Sequence, residues 1–466
     1  MAPTTTTINP VWTAVLSELF NACKDMFTVN PITGEIEQKM DKTAIENLMR
    51  TIACITIGEK KEEQHSCAYN SSNAASGLKQ IVIWPGGKKN ELKYILPNVP
   101  SYDRFFEPFV GGGSVFMGSN AKEHYINDFS PRLITLYKNI ASSDERFCHY
   151  LEAIDMSIVK AGEFAHRYQD MLANIYEQFR TGVLSKNKMM RTVSEWCETN
   201  KEEILDIIGG FTSFPCTLVQ ELKDYIGSGK GKFVGLKRKG RTDRDWICQN
   251  IEAAVKGAVY KNFRYLFNNK VIERTNEPLH SALMVYIHQF AYEGQFKYDK
   301  VGNFTTSYGG TGLSKARLLK KLTYYKSENV RRHFKNAHIY NYDFEEFLLK
   351  TNPTENDFIF LDPPYDCVFS AYDNNEFNRD DHKRLANYLL NKCKAKWMMI
   401  ISKTDFIYDL YNQPGIHIME YDKRYSCNAK GWKDRDVIHL LITNYEVNED
   451  SSSIHDKIDM GHKRAA

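Results

Sequence analysis

No stretch of the 466-residue chain approaches the roughly 18 consecutive apolar residues of a membrane-spanning helix, so none is expected. The opening MAPTTTTINPVW lacks the basic and apolar regions of a signal peptide, so nothing in it directs export. Ten cysteines are present, but no two stand in CxxC spacing, and the thirteen histidines include no HExxH. That leaves no zinc pattern and no expected metal. It reads instead as reduced structural thiols in a cytoplasmic or other reducing intracellular compartment. No GxxxxGK[ST] loop occurs, which removes the P-loop class of nucleotide enzymes. Charge of one sign is also lacking. With 61 basic and 58 acidic residues the formal net charge is +3, so any surface for a polyanion must come from local clustering.

What is present is a globular composition, 42% apolar and 26% charged, able to bury a sizeable core. Residues 13–27 and 42–55 carry apolar residues at helical spacing around a PITGE turn, and 68–77 (AYNSSNAASG) is small and polar. The spacing predicts an N-terminal helical extension and linker over 1–78. From residue 79 short apolar strands alternate with helices, the pattern of a doubly wound parallel sheet. Strands are expected in KQIVIW, FFEPF, HYIND, NAHIY, FIFL and WMMIISKTDF, with GIHIMEYDKRY and DRDVIHLLITNY closing the sheet as an antiparallel pair. Between 141 and 335 the alternation gives way to a mostly helical, polar insertion, of the kind that faces a substrate. The polar stretch 447–466 reads as a disordered tail.

Two motifs carry chemistry. EPFVGGGSVF (107–116) is a glycine-rich turn between a strand and a helix, and Asp128 ends the next strand. Glycines at such a turn let the backbone approach a ligand, and an acid after the second strand accepts ribose hydroxyls. Without a polyphosphate loop, the ligand is a nucleoside of the S-adenosylmethionine kind. The second motif is FIFLDPPY, an apolar strand that ends on Asp362, Pro363, Pro364 and Tyr365. An exocyclic amine on an aromatic base is a poor nucleophile because its lone pair is delocalised into the ring. A carboxylate (Asp362) and a fixed carbonyl (Pro363) accepting its two hydrogens favour a pyramidal nitrogen. The prolines stiffen that corner, and Tyr365 offers a face for the base. A plain Pro-Pro turn explains the prolines but neither the acid nor the aromatic.

The ordered set WPGGK (84–88), EPFVGGGSVF (107–116), IND (126–128), DPPY (362–365) and VIHLLITNY resembles the Dam-type DNA N6-adenine methyltransferases. The resemblance implies a Rossmann-like α/β methyltransferase domain over 79–140 and 336–446, with the inserted target-recognition region at 141–335. It implies S-adenosylmethionine as cofactor, held by Trp84, Lys88, Glu107, Phe109, Gly111, Gly113, Asp128, Asp343 and Asp362, with Asp362, Pro363 and Tyr365 catalytic. Trp84 reads also as a core aromatic, Lys88 as a loop charge and Asp343 as a helix N-cap. Double-stranded DNA is the expected partner, and a cognate restriction endonuclease a candidate one. Oligomeric state is left open.

The chain departs from the family where DNA would be read. Residues 292–297 are YEGQFK where such enzymes carry Tyr-Asn-Gly-Leu-x-Arg, so Lys297 is a point donor in place of an arginine fork. Recognition of GATC is therefore not implied. Tyr292, Gln295, Lys297 and Tyr308 are the candidate reading residues. The basic stretch 230–244, read as a glycine-rich loop, offers Lys237, Arg238, Lys239 and Arg241 for phosphate contacts. Two other classes stay open on residues alone: methylation of RNA or a protein amide, and a DNA-bound regulator without catalysis.

Overall fold

In the computed structural model the described residues are 27–29, 36–38, 76–211, 213–214, 216–366, 371–372, 375–424 and 436–447. The chain divides into two units, 1–70 and 71–466. In the first, Phe27–Val29 pairs antiparallel with Ile36–Gln38, so the PITGE segment falls between two strands. Phe27 was expected at a helix end; the rest of both expected helices, 13–26 and 42–55, lies outside the described residues. So do 68–77 and 447–466, but for their edges.

The second unit is built on one seven-stranded sheet. Its strands are β1 (Arg104–Glu107), β2 (Glu123–Asn127), β3 (Ala337–Tyr340), β4 (Phe358–Leu361), β5 (Lys396–Ser402), β6 (His417–Arg424) and β7 (Asp436–Thr443). The order across the sheet is 3-2-1-4-5-7-6; β7 runs antiparallel to both its neighbours and the other pairs are parallel. This is the doubly wound α/β architecture expected, with the closing antiparallel pair in place. Side chains alternate along each strand, and both faces are covered. Phe106, Ile359, Leu361, Trp397, Met399 and Ile401 pack to one side, and Phe105, Phe358, Phe360, Met398 and Ile400 to the other. A strand buried on both faces must be apolar throughout, which is why β4 is an unbroken FIFL.

The expected strand over KQIVIW does not form. Ile81 and Val82 are fully buried, but their backbone is taken up elsewhere. The Ile81 amide bonds Gly112, its carbonyl accepts from Tyr325 and Lys321, and the Ile83 carbonyl meets His288. The strand over WMMIISKTDF stops at Ser402, because Thr404 caps a helix, Asp405–Tyr411, by accepting from the Ile407 amide.

The insertion is helical as expected. Its spine is α1 (Glu145–Thr181), capped by Asp144, which accepts from the Phe147 amide, and packed on α2 (Arg244–Phe267) and α3 (Glu277–Phe290). The 226–246 stretch is not a loop: Lys232–Lys239 is a helix, and Arg244 opens α2 behind its N-cap Asp243. No described helix is long and apolar enough to cross a membrane.

Candidate active site

In an open α/β sheet the ligand crevice lies at the carboxyl ends of the strands, beside the point where strand order reverses, here between β1 and β4. The chemistry-bearing residues follow that rule. Glu107 closes β1, Asp128 follows β2, Asp343 lies just beyond β3, and Asp362 follows β4. A cavity of about 340 Å³ opens there. Trp84, Phe109, Gly111, Asp128, Asp343, Asp362, Pro363 and Tyr365 all line it. Lys88, Glu107 and Gly113 are not in its lining and stand behind it.

The glycine turn has the tightness the sequence suggested. Gly111 and Gly113 hold φ of 50° and 74°. A Cβ at Gly113 would lie 2.2 Å from the Tyr137 hydroxyl, and one at Gly112 2.6 Å from the Val82 carbonyl oxygen. No other residue fits that course without displacing backbone or a buried ring. Asp128 braces the turn by accepting the Gly111 amide at 3.0 Å and the Ser130 amide at 3.0 Å. Asn127 ties the neighbouring loops together, donating to the Pro108 and Tyr342 carbonyls and accepting the Tyr342 amide.

At the acid–proline corner, the Lys88 ammonium sits 2.5 Å from an Asp362 carboxylate oxygen and donates to the Tyr365 hydroxyl at 3.1 Å and the Gly86 carbonyl at 2.9 Å. Lys88 is 2% exposed, so its charge is satisfied within the protein. Burial pushes the Asp362 carboxyl up from the ordinary aspartate value, and Lys88 opposes the rise. Glu107 lies deeper; burial first, then the Asp362 charge, push it well above the usual range. Its Oε2 is buried with no hydrogen-bond partner. The corner is pinned from its far side by Asp366, which accepts from Arg379 at 3.0 and 3.1 Å and from Thr404 at 3.1 Å.

Some site residues escaped the sequence reading. Phe129, Phe344 and Phe377 line the cavity, the first 55% exposed at its rim. An aromatic directly after Asp128 and after Asp343 was the available signal for the first two; Phe377 follows none of the strand-end acids. Asp343 turns out to be committed. It caps the helix Phe344–Thr351 and holds a two-armed ion pair with Arg384 at 3.0 and 3.1 Å.

The DNA-reading candidates divide. Tyr292, Gln295 and Lys297 lie on a small ribbon closed by the bridges Ala291–Tyr308 and Tyr298–Phe304. Tyr292 is 46% exposed, and Glu293 beside it takes φ 50°. Tyr308 is 6% exposed and packs on Tyr260 and Phe290, so as placed its ring is a core aromatic and not available to read a base. The expected phosphate contacts change as well. Lys237 donates to the Phe179 carbonyl and lies over its ring, and Arg241 lies over Trp246. Arg238 and Lys239 are exposed at the end of the helix Lys232–Lys239.

Comparison with known proteins agrees with this geometry. Residues 84–196 and 245–427 match the family described as D12 class N6 adenine-specific DNA methyltransferase. The type II methyltransferase M.CviBI of Paramecium bursaria Chlorella virus NC1A is 23% identical over 79% of the chain and the whole of that protein. The type II methyltransferase M.MjaIII of Methanocaldococcus jannaschii is 31% identical over 38% of the chain and 61% of its own length. A DNA N-6-adenine-methyltransferase of Escherichia phage P1 is 22% identical over 83% of the chain and 38% of its own length.

Proposed function

The chain belongs to the D12 class of N6 adenine-specific DNA methyltransferases, and from that premise we propose that its cavity holds S-adenosylmethionine beside a flipped-out adenine. The observation that carries this reading is the sharing of one cavity by Asp362, Pro363 and Tyr365 with Trp84, Phe109 and Asp128. Its volume, about 340 Å³, is within the usual range for small-molecule sites.

The residues present suit that cofactor. The turn brings bare backbone to the cavity wall at Gly111, Asp128 stands where a carboxylate accepts ribose hydroxyls, and aromatic faces stand ready for an adenine ring. The orphaned Oε2 of Glu107 is an acceptor suited to a cationic amino-acid group. Asp343 offers the adenine amine only what its cap and Arg384 leave over. When bound, the cofactor supplies a methyl group on an electrophilic sulfonium.

A duplex hides the exocyclic amine, so the base must leave the stack, at a cost of a few kcal/mol. Tyr365 then gives it a face, while Asp362 and the Pro363 carbonyl accept its two hydrogens. Asp362 is the stronger acceptor when ionised, and Lys88 beside it favours that form. Positioning and charge placement carry the catalysis, with no covalent enzyme intermediate. Tyr292, Gln295 and Lys297 on the ribbon would read the target. The names of the type II relatives make a cognate restriction endonuclease a partner to look for.

The test is incubation with methyl-labelled S-adenosylmethionine and mixed-sequence duplex DNA, with RNA alongside, followed by chromatography of the nucleosides. Label in N6-methyldeoxyadenosine is expected. Label confined to RNA, or to another nucleoside, would overturn the reading.

A further inference from the structure

The family match breaks between residues 196 and 245. The described residues inside that gap include the helices Leu218–Gly227 and Lys232–Lys239, which pack on each other and on α2. Between them and α2 runs a second cleft, of about 500 Å³. The gap segment supplies one wall with Lys230, Lys232 and Lys239; α2 supplies the other with Lys261 and Arg264. Asp224 is the one acid in the lining, and its carboxylate accepts from Gln220. Glu221 is spent on Lys261. Lys230, Lys232 and Lys239 have no carboxylate partner among the described residues. Lys232 is half-buried, and burial together with Lys239 pushes its ammonium below the ordinary lysine value. Like charges held side by side, one of them half-buried, cost free energy that an anion joining them relieves.

The cleft is continuous with the reading ribbon. Ser307 and Tyr308 line it, and the Ser307 carbonyl accepts the Tyr292 amide at 2.8 Å. Arg264 donates to the Thr305 and Thr306 carbonyls at 2.8 Å each, Tyr260 to Thr306, and Asn268 clasps Phe304 through both its amide atoms. The ribbon and the cleft wall therefore stand on the same helix, α2.

We propose that this cleft, walled by a segment outside the family match, seats backbone phosphates of the duplex whose bases the ribbon reads. The inference rests on the DNA-methyltransferase reading and adds to it a phosphate clamp particular to this chain. Contacts of this kind add affinity without adding sequence preference. They also release counterions, so each phosphate neutralised contributes about 0.9 to the salt dependence of binding.

The experiment is fluorescence anisotropy of a labelled duplex across a salt series, on the full chain and on K230Q/K232Q/K239Q. The slope of log affinity against log salt should shrink by roughly 2–3 in the triple variant. A control, K335Q/K394Q, removes exposed lysines at the amino ends of β3 and β5, opposite the crevice, and should keep the wild-type slope. Thermal melting checks the fold, and Lys230→Gln alone, on an exposed turn, should still remove about one unit of slope. A wild-type slope in a folded triple variant would overturn the clamp, even if the wild-type protein methylates DNA normally. A slope lost with single-stranded RNA but kept with duplex DNA would also overturn it. A reduced slope with DNA would sustain the clamp even where methylation failed, so the two readings fail separately.

Discussion

The Lys88 ammonium lies 2.5 Å from the Asp362 carboxylate, joining the WPGGK loop to the DPPY corner across 274 residues of chain. Lys88→Met would leave a buried carboxylate without its counter-charge. Removing one partner of a buried pair typically costs about 3–5 kcal/mol, so the melting temperature should fall. The Asp362 carboxyl should also rise further above its ordinary value, moving the acid limb of the pH–rate profile to higher pH. A variant with wild-type melting and an unmoved acid limb would show that the pair does neither job.

Gly113 is the tightest point of the glycine turn. Gly113→Ala adds a methyl 2.2 Å from the Tyr137 hydroxyl at a φ of 74° that alanine resists. Strain of this kind costs on the order of 1–3 kcal/mol, and Tyr137 must give up its 3.0 Å bond to the Gly111 carbonyl. Urea unfolding should show the loss, and cofactor affinity measured by calorimetry should fall with it. Unchanged values in both would mean that the turn is not held as described.

Acid should unfold the chain before most carboxylates titrate. Burial, foremost, pushes His124, His280, His288, His382 and His439 down from 6.5 to about 3, 4, 3, 4 and 2. Below 6.5 the unfolded chain binds protons at these histidines and the folded chain does not, so stability falls as pH drops from 6.5 toward 4. Each contributes about 1.4 kcal/mol per pH unit in that window. Glu107 and Asp362, raised in the folded state, act in the opposite sense. Burial lowers His333 to about 4 as well, so six rings stand against two carboxyls and unfolding takes up protons on balance. The urea midpoint measured from pH 7 to 5 should decline accordingly; a midpoint constant over that range would contradict the burial of these rings.

The sheet could be read from sequence because its strands are buried on both faces and so are written as short apolar runs between helices. IVIW at 81–84 is written the same way yet is no strand. Its backbone partners, His288, Lys321 and Tyr325, come from the far side of the insertion, where no local pattern announces them. The cavity was legible because strand-end acids and the glycine turn are local signals; Lys88 as the partner of Asp362 was not, since only folding brings them together. Asp343 satisfied two local readings at once, cap and cavity lining, and Arg384 emerged as its partner from a helix 41 residues on. In the basic stretch, composition recorded charge but not which charges the protein itself consumes. Lys237 and Arg241 lie on aromatic rings, while Lys230, Lys232 and Lys239 are left facing a cleft.

The measurement that bears most directly on the chemistry is the single-turnover rate of methyl transfer to duplex DNA by Asp362→Asn beside wild type, with cofactor and DNA binding measured on the same preparations. Asparagine keeps the shape but cannot supply the charged acceptor. Loss of one such charge-placing group typically costs 10²–10³-fold in rate, so a drop of at least about that size is expected with binding largely retained. Transfer at a rate close to wild type would contradict the assignment of Asp362 as the acceptor that activates the adenine amine.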